Sequence, residues 1–372
     1  MLRLIGAVIG VLIVLTTTMS ILWTLVIPRG RLGVIRQVDR VVDAAYVILS
    51  RLLGSYQRRD TFLATQAAVL LGALLICWLA AYLFGYALIL WPIEHNFAFA
   101  LRESGSSLFT LGFAWRPSAG SAIVDFIAAA SGLIVVALQI AYLPTIYAAY
   151  NRRETEITLL APRAGAPAWG PELLSRFTFS GVIESAGPFF ESWERWSADV
   201  AESHTSYPVL LRFRSPKPLS SWLIGLLAVM DAAALFLAAA PARAPFQARL
   251  SLQMGFNCLR TLASTIGIPF DVDPLPSDPI ELSYEEFLVG WERMVAVGFP
   301  LERGPEEAYE HFKGWRVNYE SIAYALAYAL DVVPAAWSGP RRHQAEPIRP
   351  KVILNRTPAN PLEGERPRPH PR

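Results

Sequence analysis

Apolar residues along this chain are gathered into long runs. Residues 4–27 and 61–93 carry no charge, and in residues 121–150 Asp125 is the one charged residue. About 20 apolar residues in a helix cross the hydrocarbon core of a bilayer, so the pattern predicts three transmembrane helices, the first within residues 1–28. A cleaved signal peptide is the alternative for the first run, but its apolar core would be shorter and a small-residue cleavage site would follow it.

Arginine residues indicate which loops face the cytoplasm. Seven lie between the first two runs and two directly follow the third, whereas residues 94–120 contain only Arg102 and Arg116. Because basic residues are enriched in cytoplasmic loops, we expect the amino terminus and the loop at 94–120 outside and the chain after residue 150 in the cytoplasm. Only three of the 33 basic residues are lysines, a bias typical of GC-rich bacterial genomes. We therefore expect a multi-pass protein of the bacterial inner membrane.

Residues 29–60 have a different periodicity. Charged residues on other faces separate a set of apolar residues that recur at helical spacing: Val34, Val38, Val41, Ala45, Ile48 and Leu52. This pattern predicts an amphipathic helix at the cytoplasmic surface of the membrane.

The loop between the second and third runs contains a short apolar segment. Residues 95–109 are apolar enough to re-enter the membrane but too few to cross it, and Thr110-Leu111-Gly112-Phe113 follows them. Non-helical backbone at membrane depth is tolerated where it is buried in protein or lines a water-filled path. The pattern therefore predicts a re-entrant loop, which either lines a conducting path or packs two spans together without conducting.

The order of span, short helix, Thr-apolar-Gly-aromatic and span resembles the pore module of the potassium-channel superfamily over residues 61–150. The resemblance implies a homotetramer, because a ring of carbonyls around an ion needs several copies of a loop that occurs once in this chain. It also implies coordination of monovalent cations, with potassium as a candidate, by a selectivity filter of Thr110, Leu111, Gly112, Phe113 and Ala114. Ala114 and Trp115 stand where the family has glycine and aspartate, which leaves the ion preference open.

The third run carries three residues that the same resemblance places along a pore. Gly132 stands near the hinge glycine of pore-lining helices, with close helix packing as the alternative. Gln139 is polar in mid-membrane and is expected to face protein or water, and Pro144 removes a helix hydrogen bond near the cytoplasmic end. We expect Gly132, Gln139 and Pro144 to line or gate the pore.

Residues 151–338 are predicted to form a helical cytoplasmic domain. The apolar residues 222–240 within it are either a fourth span or a core helix, and Asp231 favours the core helix, paired with a buried arginine such as Arg260. Residues 315–320 predict either a buried polar network of Arg316, Asn318 and Glu320 or a contact with a partner, and the network is favoured. Residues 339–372 are rich in proline and arginine and are predicted to be disordered.

The prediction as a whole is an all-α membrane protein with three transmembrane helices, a re-entrant pore loop and an α-helical cytoplasmic domain. The stretches FFESWERW, YPVLLRFRSPKP and GWRVNYE resemble bacterial membrane proteins with a pore-loop amino-terminal part, which supports the architecture. Catalytic motifs, metal-ligand spacings and basic stripes are absent from the sequence, so we expect no enzyme activity, cofactor, metal site or nucleic-acid partner. The expected function is a tetrameric cation channel in the lipid bilayer, and the alternative is a non-conducting membrane-anchored scaffold or sensor.

Overall fold

The computed structural model describes residues 1–27, 33–116, 118–343 and 345–352, so parts of the predicted interfacial segment and tail lie outside the described residues. Regular structure in this part of the chain is helical apart from one isolated bridge, which confirms the all-α prediction. The α-helices in chain order are α1 (Leu2–Leu25), α2 (Gly33–Ser50), α3 (Tyr56–Leu63), α4 (Gln66–Glu94), α5 (Phe97–Leu108), α6 (Ala119–Ala164), α7 (Gly170–Phe179), α8 (Ala186–Ser206), α9 (Trp222–Ala239), α10 (Phe246–Ile266), α11 (Tyr284–Val295), α12 (Pro305–Arg316) and α13 (Glu320–Leu330).

The helices form two compact units. The first contains residues 1–52 and 65–148, and the second contains residues 53–64 and the chain from 149 onward. Helices α1 and α2 therefore belong to the same unit as the predicted pore module, and α3 belongs to the second unit. Helix α6 contributes residues to both.

Helices α1 and α4 pack together through small residues in the first unit. A Cβ atom on Gly10 would lie 2.5 Å from the carbonyl oxygen of Gly85, so the two backbones approach too closely for any side chain. Farther along the same pair, Trp78 Nε1 donates a hydrogen bond to Ser20 Oγ at 3.1 Å. Close glycine contacts and interhelical hydrogen bonds of this kind hold helices together where lipid removes the hydrophobic driving force.

Four helical segments are long and apolar enough to cross a membrane, and one of them differs from the rest. In α1, in Tyr56–Glu94 and in α6 the protein covers 28%, 33% and 22% of the most apolar stretch, whereas it covers 94% of α9. The apolar surface left uncovered on the first three is suited to lipid, so the chain has the helices of a membrane protein. Helix α9 is enclosed instead by α7, α10 and α12 within the second unit.

A buried polar network in the second unit is centred on Arg316, as residues 315–320 predicted. Its guanidinium, fully buried, donates to Asp231 in the middle of α9, to Glu320 Oε1 at 2.7 Å and to the hydroxyl of Tyr324 at 2.9 Å. The hydroxyl of Tyr319 donates to Asp231 Oδ1 at 2.7 Å. Two buried carboxylates are therefore compensated by one guanidinium and a phenol, which satisfies charges that burial would otherwise penalise.

Two details of this network correct the sequence-based expectation. Asp231 pairs with Arg316 and Tyr319 and not with Arg260, because α12 brings Arg316 against α9 from a position 85 residues away in the chain. Asn318 stays outside the network, since its amide donates to the backbone carbonyls of its own preceding turn.

The start of the predicted tail, residues 339–372, makes defined contacts. Arg341 Nε donates to the carbonyl oxygen of Val332 at 2.8 Å, and burial lowers the pKa of Arg341 to about 10. Ile348 N–H donates to the carbonyl oxygen of Pro334 at 2.7 Å. Chain contacts therefore continue past the boundary that composition indicated.

Candidate functional site

Helix α5 packs between α4 and α6, at the position predicted for a pore helix. The side chain of Asn96 caps α5 by accepting hydrogen bonds from two backbone N–H groups of its first turn, at 2.9 and 3.3 Å. Ser104 Oγ donates to the carbonyl oxygen of Leu83 on α4 at 2.8 Å. Ser107 Oγ donates to Asp125 Oδ1 on α6 at 2.6 Å. Short polar side chains thus attach α5 to both neighbouring helices.

The Thr-Leu-Gly-Phe loop folds back onto the end of α5, and Ser106 is its anchor. The carbonyl oxygen of Ser106 accepts hydrogen bonds from Leu111 N–H at 2.7 Å and from Gly112 N–H at 3.4 Å. The hydroxyl oxygen of Ser106 accepts a third bond from Ala114 N–H at 3.0 Å. One residue of the short helix therefore satisfies three backbone donors of the loop.

The loop backbone alternates in handedness. Thr110 has a φ of 55° and Gly112 a φ of 71°, while Leu111 and Phe113 do not have positive φ. A positive φ is rare for a β-branched residue such as Thr110 and costs on the order of 1–3 kcal/mol. Such strain persists only where the surroundings impose it, and here the bonds to Ser106 and its neighbours supply that constraint.

The carbonyl oxygens of the loop are left for another ligand. No residue in the described part of the chain donates a hydrogen bond to the carbonyl oxygens of Thr110, Leu111, Gly112 or Phe113. The N–H groups of Thr110, Leu111 and Gly112 are bonded to carbonyl oxygens of α5, whereas the carbonyl oxygens of the loop are available to another ligand. Free carbonyl oxygens on a constrained loop are suited to replace the hydration shell of a cation.

The five predicted filter residues divide into two groups. The first four, residues 110–113, are exposed in the single chain, whereas Ala114 is buried and its N–H is bonded to Ser106. The Arg102 guanidinium lies 5.3 Å from the centre of the Phe113 ring, which ties the loop to α5 by a cation–π contact. The exposed part of the loop therefore ends where Ala114 turns back into the protein.

Two buried carboxylates both interact with Arg116, which follows the loop. Glu94 and Glu103 are both buried, and Arg116 Nε lies 3.0 Å from Glu94 Oε2. Glu103 Oε1 accepts a hydrogen bond from Arg116 N–H at 3.1 Å, and the Arg116 guanidinium stacks 4.9 Å from the ring of Phe99. Arg116 thus joins the end of α4, the body of α5 and the segment that follows the loop.

The three residues predicted to line the pore occupy two faces of α6. Gly132 packs against the end of α5, where an added Cβ would lie 2.0 Å from the Leu108 carbonyl oxygen. Gln139, two turns later, is buried, and its Oε1 has no hydrogen-bond partner among the described residues. Pro144 is exposed, and α6 continues through it as a helix. Gly132 alone of the three lies against the short helix that carries the loop.

Sequence reasoning had not assigned roles to Ser106, Arg116, Glu94 or Glu103. The available signal was three serines, Ser104, Ser106 and Ser107, in the second half of the short helix. Those side chains all find partners on the loop, on α4 or on α6, so their polarity belongs to the construction of the site.

Comparison of the chain with protein families, with characterised proteins and with solved structures finds no match. Among the described residues, no group of three or more His, Cys, Asp or Glu side chains is placed to hold a metal ion. The candidate site is therefore defined by the backbone of residues 110–113 and the side chains that fix it.

Proposed function

We propose that this protein is a pore-loop cation channel in which residues 110–113 of four identical chains surround the ion path. The observation that carries the proposal is the arrangement of the loop backbone. The N–H groups of Thr110, Leu111 and Gly112 are bonded to α5, the carbonyl oxygens of residues 110–113 accept no hydrogen bond from a described residue, and Thr110 and Gly112 have positive φ. Monovalent cations, with potassium as a candidate, are the ligands that suit a ring of such neutral oxygens.

Three helices cross the membrane in this proposal. Helices α1, α4 and α6 leave most of their apolar surface uncovered, which lipid would cover. Helix α9 has almost none uncovered, and Asp231 in its middle is paired inside the second unit, so α9 is a core helix. The arginine distribution then places the amino terminus outside and the carboxyl-terminal unit in the cytoplasm of a bacterial cell.

A tetramer accounts for apolar side chains that a single chain leaves exposed. The apolar side chains of Leu111 and Phe113 in the loop are 62% and 55% exposed. Neighbouring chains around an axis would cover such side chains while the carbonyl oxygens between them meet at the centre. One loop supplies too few oxygens to replace the hydration shell of an ion, so the proposed activity requires the oligomer.

The remaining pore positions follow from α6. Gly132 lets α6 approach the end of α5, and in the proposal this contact sets the distance between the loop and the inner helix. Gln139 lies on the same face of α6 as Gly132, and its buried amide oxygen has no hydrogen-bond partner among the described residues. Pro144 lies on the exposed face of α6, so a bend of α6 at this residue would not require core side chains to rearrange.

The direct test is ion flux through liposomes that contain the purified full-length protein. We expect potassium-loaded liposomes to release the ion when the protein is present and to retain it when the protein is omitted. Sodium-loaded and chloride-loaded liposomes report the ion preference in the same experiment. If no monovalent cation passes while a known channel conducts in parallel, the channel proposal is wrong, and a non-conducting scaffold or sensor becomes the better description.

A further inference from the structure

Helix α2 exposes an apolar stripe although one of its faces packs against α4. The stripe consists of Val41, Ala45 and Ile48, and Leu52 in the turn after the helix extends it; Val41, Ile48 and Leu52 are 70%, 62% and 81% exposed. The three helical residues recur at intervals of four and three, so they lie along one side of α2. A helix of a water-soluble protein would turn this side to the core.

The opposite side of α2 is polar and faces the protein. Asp43 Oδ1 accepts a hydrogen bond from Gln66 Nε2 at 3.0 Å, and the hydroxyls of Tyr46 and Thr65 lie 2.7 Å apart. Ser50 is buried on the same side. The usual orientation of an amphipathic helix is thus reversed, with polar groups turned inward and apolar groups turned outward.

The charged residues of α2 follow the same division between a partly buried side and an exposed side. Asp39 and Asp43 lie on the partly buried side, whereas Arg36 and Arg40 are exposed, as is Arg51 in the turn that follows. At 100° per residue Arg40 lies about 80° from Ile48, on one flank of the apolar stripe, whereas Arg36 lies closer to the direction of Asp43. The exposed half of the described helix therefore carries positive charge and no carboxylate.

We propose that α2 binds the surface of a bilayer that contains anionic phospholipid. The apolar stripe enters the boundary between headgroups and acyl chains, and the exposed Arg40 and Arg51 bind lipid phosphates. Chain continuity supports a lipid surface over a protein partner. Seven residues, at most about 25 Å of chain, separate the end of α1 from the start of α2, and α2 also packs against α4, so α2 stays close to two helices that are proposed to cross the bilayer. The proposal requires α1 and α4 to cross the bilayer and does not depend on ion conduction.

Quenching of a fluorescent label by brominated lipids tests this contact in the full-length protein. A nitrobenzoxadiazole label is placed at Ile48→Cys, and a control label at Glu285→Cys on the exposed side of α11, each with Cys77→Ala and Cys258→Ala. Both proteins are reconstituted into vesicles of phosphatidylcholine and phosphatidylglycerol, with either lipid brominated. We expect quenching of the label at position 48 and none at position 285. Equal fluorescence of the position 48 label with and without bromine would overturn the proposal, including the case in which a neighbouring protein chain covers the stripe.

The charge on α2 is tested by competition between the two lipids at the same label. We expect phosphatidylglycerol to quench the label more strongly than phosphatidylcholine at equal mole fraction. Arg40→Gln should lower this preference about fivefold, because one arginine is removed from the anionic surface. Arg249→Gln, which removes an exposed helical arginine from the second unit, should leave the preference unchanged. Equal quenching by both lipids, or equal effects of the two substitutions, would contradict the recognition of anionic lipid.

Discussion

Nη1 of Arg153 lies 2.9 Å from Nε2 of His204, and both side chains are fully buried in the second unit. A guanidinium only donates hydrogen bonds, so Nε2 must accept, and the proton of the neutral imidazole resides on Nδ1, 3.0 Å from Ser203 Oγ. Burial, together with the charge of Arg153, lowers the pKa of His204 well below its usual value. The same guanidinium donates to Glu154 Oε1 at 2.9 Å. The charge of Glu154 is therefore paired with Arg153 and does not stabilise a protonated His204.

This pair predicts a loss of stability in mild acid. The unfolded chain protonates His204 below a pH of about 6.5, while the folded protein cannot do so until its lower pKa is reached. The free energy of unfolding is therefore complete above about pH 6.5 and falls as the pH drops below it, by up to about 1.4 kcal/mol per pH unit. His204→Gln retains an acceptor for Arg153 and does not titrate. Urea unfolding in detergent between pH 7.5 and 5 should show a smaller decrease for the variant, and parallel curves would contradict the prediction.

Removal of Arg316 should destabilise the second unit strongly. Arg316→Met leaves Asp231 and Glu320 buried without their shared guanidinium, so we expect the free energy of unfolding to fall by about 3–5 kcal/mol. Arg260→Met removes the arginine that sequence alone would pair with Asp231, and should cost less than about 1 kcal/mol. Denaturation monitored by tryptophan fluorescence distinguishes the two. Similar losses in both variants would show that Asp231 does not depend on Arg316.

Gly112→Val should abolish ion flux, and Gly181→Val should not. Both glycines have positive φ and open space around the position of a Cβ, so valine costs a similar backbone strain of roughly 1–3 kcal/mol at each. Only Gly112 lies in the loop whose carbonyl oxygens are proposed to bind the ion. Flux is measured in liposomes after light scattering has shown that each variant has the mass of the parent oligomer. Normal flux through an assembled Gly112→Val protein would remove the proposed role of the loop.

Gly132→Ala should disturb the contact between α6 and α5. The added Cβ would meet the Leu108 carbonyl oxygen at 2.0 Å, so α5 must move, and we expect a loss of about 1–3 kcal/mol. Gly72→Ala in α4 is the matched control, since nothing lies within 4 Å of its added Cβ and alanine favours a helix by about 1 kcal/mol. Thermal unfolding in detergent should therefore shift down for the first variant and slightly up for the second. A Gly132→Ala protein as stable as the parent would mean that the close approach of the helices is not required.

The sequence predicted those features that depend on neighbours along the chain. Uncharged runs identified the helices that expose apolar surface, and the spacing of Val41, Ile48 and Leu52 identified α2, because both patterns are local. The partner of Asp231 was not predictable, since α12 brings Arg316 to α9 from a distant part of the chain. The anchoring role of Ser106 also escaped prediction, because it depends on the path of a loop with positive φ at Thr110.

Composition did not indicate the contacts of Arg341 for a related reason. Arginine and proline usually prevent a segment from building a core, but Arg341 is satisfied by backbone carbonyl oxygens, including that of Val332. A buried guanidinium with enough acceptors is compatible with packing, and the number of available acceptors cannot be counted before the fold is known.

The burial of α9 has a consequence for the synthesis of the protein. Asp231 leaves the ribosome 85 residues before Arg316, so its partner is absent during that interval of synthesis. During that interval the translocation machinery encounters a segment as long and apolar as a transmembrane helix, in which one carboxylate opposes insertion by about 2.5–3.5 kcal/mol. Asp231 therefore disfavours insertion of α9 during synthesis, and in the folded protein it binds Arg316 and Tyr319. With leucine at position 231, the translocation machinery would encounter an uninterrupted apolar segment before the remainder of the second unit had been synthesised.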